Sequence, residues 1–223
     1  MDEVYAELAA KIWEVASSRY PRRTLVGIAG PPGSGKTTIA AHIVARLSQA
    51  KVIGVAMDGF HYTRAELDAF PDPAEAHKRR GAPWTFDVDA VLDLVRQLHA
   101  STLVSDIERV DISAPSFDHA TKDPVPGDIT ISAAASIVIL EGNYLLLDEP
   151  KWKAIGPLLD FRVLVHVPPE EARVRVASRH VASGIEPTLA LGEKRFDSND
   201  AINGDLIRAK AVACDVMVES IHV

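Results

Sequence analysis

The stretch Thr24-Leu-Val-Gly-Ile-Ala-Gly-Pro-Pro-Gly-Ser-Gly-Lys-Thr-Thr38 constrains the fold of this chain more than any other. It opens as a short apolar run rich in β-branched residues, which reads as a buried strand. It breaks at Gly30, and Gly30-Pro31-Pro32-Gly33-Ser34-Gly35-Lys36-Thr37 fits G-x-x-x-x-G-K-[ST] without a mismatch. Ile39, Ile43, Val44 and Leu47 then recur at helical spacing. Strand, glycine loop and helix follow in the order a phosphate cradle requires. Gly30, Gly33 and Gly35 allow backbone conformations closed to residues with a Cβ, so successive N–H groups point inward at the positive end of the helix. Lys36 adds a mobile charge for the outer phosphates, and Thr37 offers a hydroxyl to Mg²⁺. Residues Gly30 to Thr38 are therefore expected to hold a nucleoside triphosphate.

A chain of 223 residues suits one α/β domain, expected here to span residues 1–223 with a short lid at about 173–195. Its net charge of −7 argues against a nucleic-acid partner, which usually needs a basic face. Met1-Asp-Glu-Val lacks the basic and apolar regions of a signal peptide, and the longest apolar stretch, 133–147, is cut by Glu141 and Asn143. No membrane partner and a cytoplasmic location are expected. Cys214 is the only cysteine and reads as a core residue.

Residues 3–20 read as an amphipathic helix that stops at Pro21 and either packs on the sheet or serves a homodimer. Lys51–Met57 is a second apolar strand, ending at Asp58-Gly-Phe-His61-Tyr62. Ligands of open α/β sheets bind beyond such carboxyl ends. Asp58 there either accepts a proton from an alcohol, holds Mg²⁺ or caps a turn. The pattern is lost from Thr63 to Phe86, apart from one helical turn or two at 65–70, and Lys78, Arg79 and Arg80 there either face phosphate or form a solvated patch. Asp87 caps a helix running to about His99. A strand is expected at 104–113, followed by a loop through Pro124, Pro126 and Gly127, with a short return strand at 128–131. Ile137-Val-Ile-Leu-Glu141-Gly142 is a hydrophobic strand ending in an acid, the shape of a Walker B element in which Glu141 holds Mg²⁺ directly or through water. Residues 145–147 and 152–159 are expected to pack around a further helix. A strand at 161–167 precedes a helix from Glu170 to about Ser183 carrying Arg173, Arg175, Arg179 and His180. Residues 189–196 connect onward, Asn199-Asp200 and Asn203-Gly204 punctuate the approach to a helix at 206–211, and a last strand is expected at 212–218.

Together these landmarks resemble the P-loop small-molecule kinases of the uridine kinase, phosphoribulokinase and bacterial pantothenate kinase family, nearest to its sugar-transport-system and uridine-kinase-like members. The resemblance rests on the glycine loop, Met57-Asp-Gly-Phe-His61, Arg80-Gly-Ala-Pro-Trp-Thr-Phe-Asp87, Pro115-Ser-Phe-Asp-His119, Val138-Ile-Leu-Glu-Gly142 and the arginines of 173–180. It implies a three-layer P-loop NTPase fold, a mostly parallel sheet flanked by helices with a short lid. It also implies ATP with Mg²⁺, and a small-molecule acceptor phosphorylated on an alcohol.

Carried over by position, the resemblance makes Asp58 the general base and a metal partner alongside Thr37 and Glu141. Lys36, Arg175 and Arg179 neutralise the migrating phosphoryl group, the two arginines from the lid. Asp58, His61, Tyr62, Arg80, Phe117, Asp118 and His119 enclose the acceptor. Uridine kinases typically carry Asp-Ser-Phe-Tyr where this chain has Asp58-Gly-Phe-His61, so the acceptor stays open among sugars, nucleosides and pantothenate-like alcohols. Two other activities fit the same loop: a regulatory ATPase without an acceptor, and a nucleoside monophosphate kinase using the basic cluster.

Overall fold

A computed structural model of the chain describes residues 2–220. Five strands form one parallel sheet: β1 (Thr24–Ala29), β2 (Val52–Ala56), β5 (Ile137–Gly142), β6 (Phe161–His166) and β7 (Val216–Glu219), in the order β2-β5-β1-β6-β7. Strands buried on both faces alternate which layer they feed. Val26, Ile28, Ile137, Ile139, Val163 and Val165 pack under α1 (Asp2–Arg19) and α2 (Lys36–Arg46). Leu25, Val55, Val138 and Leu140 pack on the opposite layer, led by α5 (Val88–Thr102). The result is the three-layer α/β P-loop fold. α1 buries Tyr5, Leu8, Ala9 and Ile12 in the first of these layers, as the packing alternative expected. None of the helices among the described residues is long and apolar enough to cross a membrane.

Register positions the chemistry. Ile28 and Ala56 both stand level with Glu141, and Ala29 with Gly142. The glycine loop, Asp58 and Glu141 therefore leave the same carboxyl edge from three adjacent strands.

Several elements differ from the sequence expectations. The hairpin strand lies at β3 (Ile112–Asp118), not at 104–113. The apolar residues of the expected strand, Val104, Ile107 and Val110, are 39 %, 90 % and 71 % exposed and pair with no strand. The expected proline loop is part of β4 (Asp123–Ile131), where Phe117 pairs Pro124 and Ser116 pairs Val125 across a bulge. A two-stranded ribbon has free edges, so prolines can sit where no ladder N–H is needed. Residues 152–159 form two single turns rather than a further helix. The helix expected at 206–211 is present but belongs to a longer run, α7 (Leu189–Arg195), a π-helical turn (Phe196–Asp200) and α8 (Ala201–Lys210), with no break at Asn199-Asp200 or Asn203-Gly204. The last strand is shorter than expected, because Asp215 stops before it to bind the Arg162 backbone N–H and guanidinium.

Candidate active site

The glycine loop fits a polyphosphate by its own geometry. Gly33 and Gly35 have φ of 80° and 81°, which a side chain would strain. A Cβ on Gly30 would stand 2.7 Å from Ser34 Oγ and 2.8 Å from the Val165 carbonyl oxygen. Gly35 begins α2 without a side-chain cap, and the first turn contains no acid, so its free N–H groups and dipole are left for an anion. Ser34 Oγ is buried without a partner.

Around Lys36 the elements converge. Thr37 donates its hydroxyl to Glu141 Oε1 at 3.0 Å, joining the loop to the end of β5. Glu141 is 7 % exposed, and burial raises its carboxyl, with Lys36 opposing and Asp58 adding to the rise. Burial lowers the Lys36 ammonium, against the pull of Glu141 and Asp58. Triphosphate oxygens would supply the negative charge this lysine lacks. Among the described residues no three His, Cys, Asp or Glu side chains gather into a cage. Thr37, Glu141 and Asp58 instead suit Mg²⁺, which takes one or two carboxylates and fills its remaining positions with phosphate and water.

Asp58 lies on a short turn, Met57–Phe60, at the end of β2, beneath the hairpin. Gly59 is required there, since a Cβ would come 2.4 Å from the Pro115 carbonyl oxygen. His61 Nδ1 sits 2.8 Å from the Asp58 carbonyl oxygen, and its ring stacks 3.9 Å from Phe86 and 5.2 Å from Phe117. Burial lowers the pKa of His61. The neutral ring must carry its proton on Nδ1 to bond a carbonyl, which leaves Nε2 unprotonated as an acceptor.

The other expected acceptor residues divide. Arg80 lies 5.7 Å over the Phe117 ring and binds the Tyr62 carbonyl at 2.8 Å, the Asp123 carboxylate at 3.0 Å and the Lys122 carbonyl. Its guanidinium holds the hairpin onto the segment after Asp58. Asp118 accepts from Ala120 N–H and Thr121 Oγ1, so it closes the hairpin turn, and His119 beside it is exposed. Tyr62 points to a different groove of about 550 Å³, shared with Trp84 and Trp152. The basic cluster is paired internally: Lys78 with Glu75, and Arg79 with Asn199 and Asn203.

The arginines of α6 (Pro169–Ala182) also divide. Arg173 pairs with Asp197 and Glu193. Arg175 donates to the Gly33 carbonyl at 3.2 Å, Ser220 Oγ at 2.7 Å and Glu171 at 2.8 Å, bracing the glycine loop from behind. Arg179 is exposed, pairs with no side chain among the described residues, and acts on the charge of Lys36.

Two features had no reading in the sequence. Tyr144 donates its hydroxyl to the Gly81 carbonyl at 2.6 Å, anchoring the segment after Arg80. Asp200, read as punctuation, brings a carboxylate toward Lys36. An Asp in a polar helix segment gives no sequence sign of which way it will face.

A family model described as "Phosphoribulokinase / Uridine kinase family" matches residues 25–179. A Schizosaccharomyces pombe protein provisionally named a uridine kinase is 40 % identical over 208 residues, covering 92 % of this chain and 86 % of that one. A solved structure provisionally named a fructose transport system kinase, from Silicibacter sp. TM1040, is 30 % identical with a TM-score of 0.83, over 96 % of this chain and 98 % of that one. YFH7 from Saccharomyces cerevisiae, provisionally described as a P-loop containing kinase with a circular permutation, is 27 % identical with a TM-score of 0.85, over 98 % and 99 % of the two chains.

Proposed function

Since the chain belongs to the phosphoribulokinase / uridine kinase family, we propose that it transfers the γ-phosphoryl group of ATP to an alcohol of a small, polar metabolite. The observation that carries this reading is the position of Asp58, at the carboxyl edge of the strand beside Glu141 and acting on the charge of Lys36. Phosphoryl transfer needs mostly positioning and charge neutralisation. The loop N–H groups and Lys36 hold the β- and γ-phosphates, while Thr37 and Glu141 would hold Mg²⁺, which would supply neutralising positive charge. Asp58 orients the acceptor hydroxyl and takes its proton as the new P–O bond forms. His61 Nε2 accepts from a second hydroxyl of the acceptor, and Phe86 and Phe117 wall the pocket. The segment at about 173–195 acts as the lid, with Arg179 reaching the migrating group and Arg175 bracing the loop beneath it.

The internal pairing of Lys78, Arg79 and Arg80 leaves little to support a monophosphate as acceptor. The experiment is a panel of sugars, nucleosides, glycerate, pantothenate and nucleoside monophosphates, read as ADP release over a no-acceptor blank. A neutral or carboxylate-bearing alcohol is expected to raise turnover. Stimulation by monophosphates alone, or by nothing, would overturn the reading. With the responding alcohol, Asp58→Asn is expected to lower kcat about 10²-fold or more with nucleotide affinity retained. Unchanged turnover would remove Asp58 from the base role.

A further inference from the structure

The helical run from α7 to α8 widens at Phe196–Asp200 into a π-helical turn, a distortion that recurs at functional sites. Its two last residues meet different parts of the fold. Asn199 accepts from Arg79 Nε at 2.9 Å and donates to the Arg80 carbonyl at 3.1 Å, holding the acceptor-side segment. Asp200 turns inward, its side chain 15 % exposed, with His180 Nε2 3.6 Å from Oδ2. That distance is too long for a hydrogen bond, so Oδ2 is buried without a hydrogen-bond partner, although the charges of His180 and Arg195 also act on it. An unpaired buried carboxylate oxygen is costly and calls for a donor.

One cation that acts on Asp200 is uncommitted. Arg179 adjoins His180 in the chain, is exposed, and has no side-chain partner among the described residues. Both Asp200 and Arg179 act on the charge of Lys36, and Arg179 acts on Asp200. Every other arginine of α6 is already paired. Resting on the phosphotransfer reading above, the geometry points to Asp200 as a positioning residue of the reaction. Its free oxygen receives the Arg179 guanidinium and holds that cation over Lys36, aimed at the phosphoryl group in flight. The π-turn matters because it sets this carboxylate inward while Asn199 keeps its grip on the acceptor side. One turn then links the segment around the acceptor to the arginine of the lid.

The test uses the full chain and needs no known acceptor. Mg·ADP with aluminium fluoride mimics the planar phosphoryl group, and such mimics bind far more tightly when the stabilising cation is in place. Binding of Mg·ADP with and without aluminium fluoride is measured by calorimetry for the native chain, Arg179→Gln, Asp200→Asn, Asp200→Glu and the double variant Arg179→Gln/Asp200→Asn. Asp200→Asn is expected to lose about tenfold in the fluoride complex while Mg·ADP alone stays within about twofold. Asp200→Glu should recover part of the loss, and the double variant should lose no more than Arg179→Gln alone. Equal losses with and without fluoride, or additive losses in the double variant, would overturn the assignment. A crystal structure of the native fluoride complex decides the matter even if Asp200→Asn folds poorly. Arg179 within hydrogen-bond distance of Asp200 supports the inference, and Arg179 turned elsewhere overturns it. Failure of the native chain to prefer the fluoride complex over Mg·ADP would count instead against phosphoryl transfer itself.

Discussion

Glu141 accepts the Thr37 hydroxyl at 3.0 Å from a position only 7 % exposed. Burial raises its pKa above the ordinary 4.5, and the Lys36 charge does not fully offset that rise. The native chain therefore binds more protons at this carboxyl than the unfolded chain does. Stability falls as pH rises from about 4.5 through the folded pKa, and the full penalty is present above it. Glu141→Gln keeps an oxygen for Thr37 and removes the charge. Without nucleotide it is expected to melt at a higher temperature than the native chain at neutral pH, the gap closing as the pH falls toward 4.5. Scanning calorimetry across pH reads this directly, and a Gln variant less stable at pH 7 would mean that the Lys36 pairing outweighs burial. Gly59 makes a steric demand in place of an electrical one. Gly59→Ala sets a methyl 2.4 Å from the Pro115 carbonyl oxygen, so the hairpin must shift or the turn bearing Asp58 must. A loss of about 1–3 kcal/mol is expected in urea unfolding, and an unchanged midpoint would show that the hairpin rides loosely on the turn.

Elements with one strong period were legible from sequence, and elements defined by long-range pairing were not. β1, β5 and β6 announce themselves as apolar runs, and α5 by its Asp87 cap on Ala90 N–H. α3 (Arg64–Asp68) matches the one or two helical turns read at 65–70, but α4 (Pro73–Lys78) is not legible as a helix in its aperiodic stretch, although each carries a local signal: the reciprocal Thr63 and Glu66 cap, and Asp72 before Pro73. Helices of one to two turns show too few residues for a period to emerge. The expected hairpin strand lies too early because Val104, Ile107 and Val110 are apolar and β-branched, yet they recur every third residue and lie on the surface, whereas β3 owes its register to β4. In the site, the glycine loop, Asp58 and Glu141 could be read from local pattern. The division of the arginines, and the inward turn of Asp200, depend on which partners reach them across the fold. At the sheet edge the same dependence can be measured. Asp215 binds the Arg162 N–H at 2.8 Å and its guanidinium at 3.0 Å, just before β7 pairs with β6. Arg162 lowers the Asp215 pKa by hydrogen bonding, so the pairing stabilises above the ordinary carboxyl range and is lost as pH falls through the lowered value.

Across the whole molecule, buried polar atoms without partners occur near both ends of the sheet, with Arg19 Nε, Thr24 Oγ1 and Arg109 Nε toward the amino edge, but the two ends use their charged groups differently. The carboxyl edge holds Ser34 Oγ and Asp200 Oδ2 without partners, beside a lysine and a glutamate both disfavoured by burial. At the amino edge Arg23, fully buried, donates to the Ala135 carbonyl at 2.9 Å, the Ser132 carbonyl at 2.7 Å, the Ala133 carbonyl at 3.2 Å and Ser101 Oγ at 3.0 Å. It thereby ties the start of β1 to the approach of β5 and the end of α5. The charged groups around the glycine loop are left for ligands, whereas Arg23 spends its donors on the fold. The two roles should separate by mutation. Arg23→Ala strands several buried acceptors at about 1–3 kcal/mol each, and the urea midpoint is expected to fall steeply. The affinity of the surviving folded fraction for a non-hydrolysable ATP analogue should stay within about twofold. Lys36→Met, at the other end, should remove a buried charge and abolish analogue binding without lowering the midpoint of the ligand-free chain. A parallel loss of affinity and stability in Arg23→Ala would mean that the β1 register transmits strain along its whole length to the glycine loop. The sheet would then couple its two edges, and the phosphate cradle would depend on an arginine at the far end of the strand it leaves.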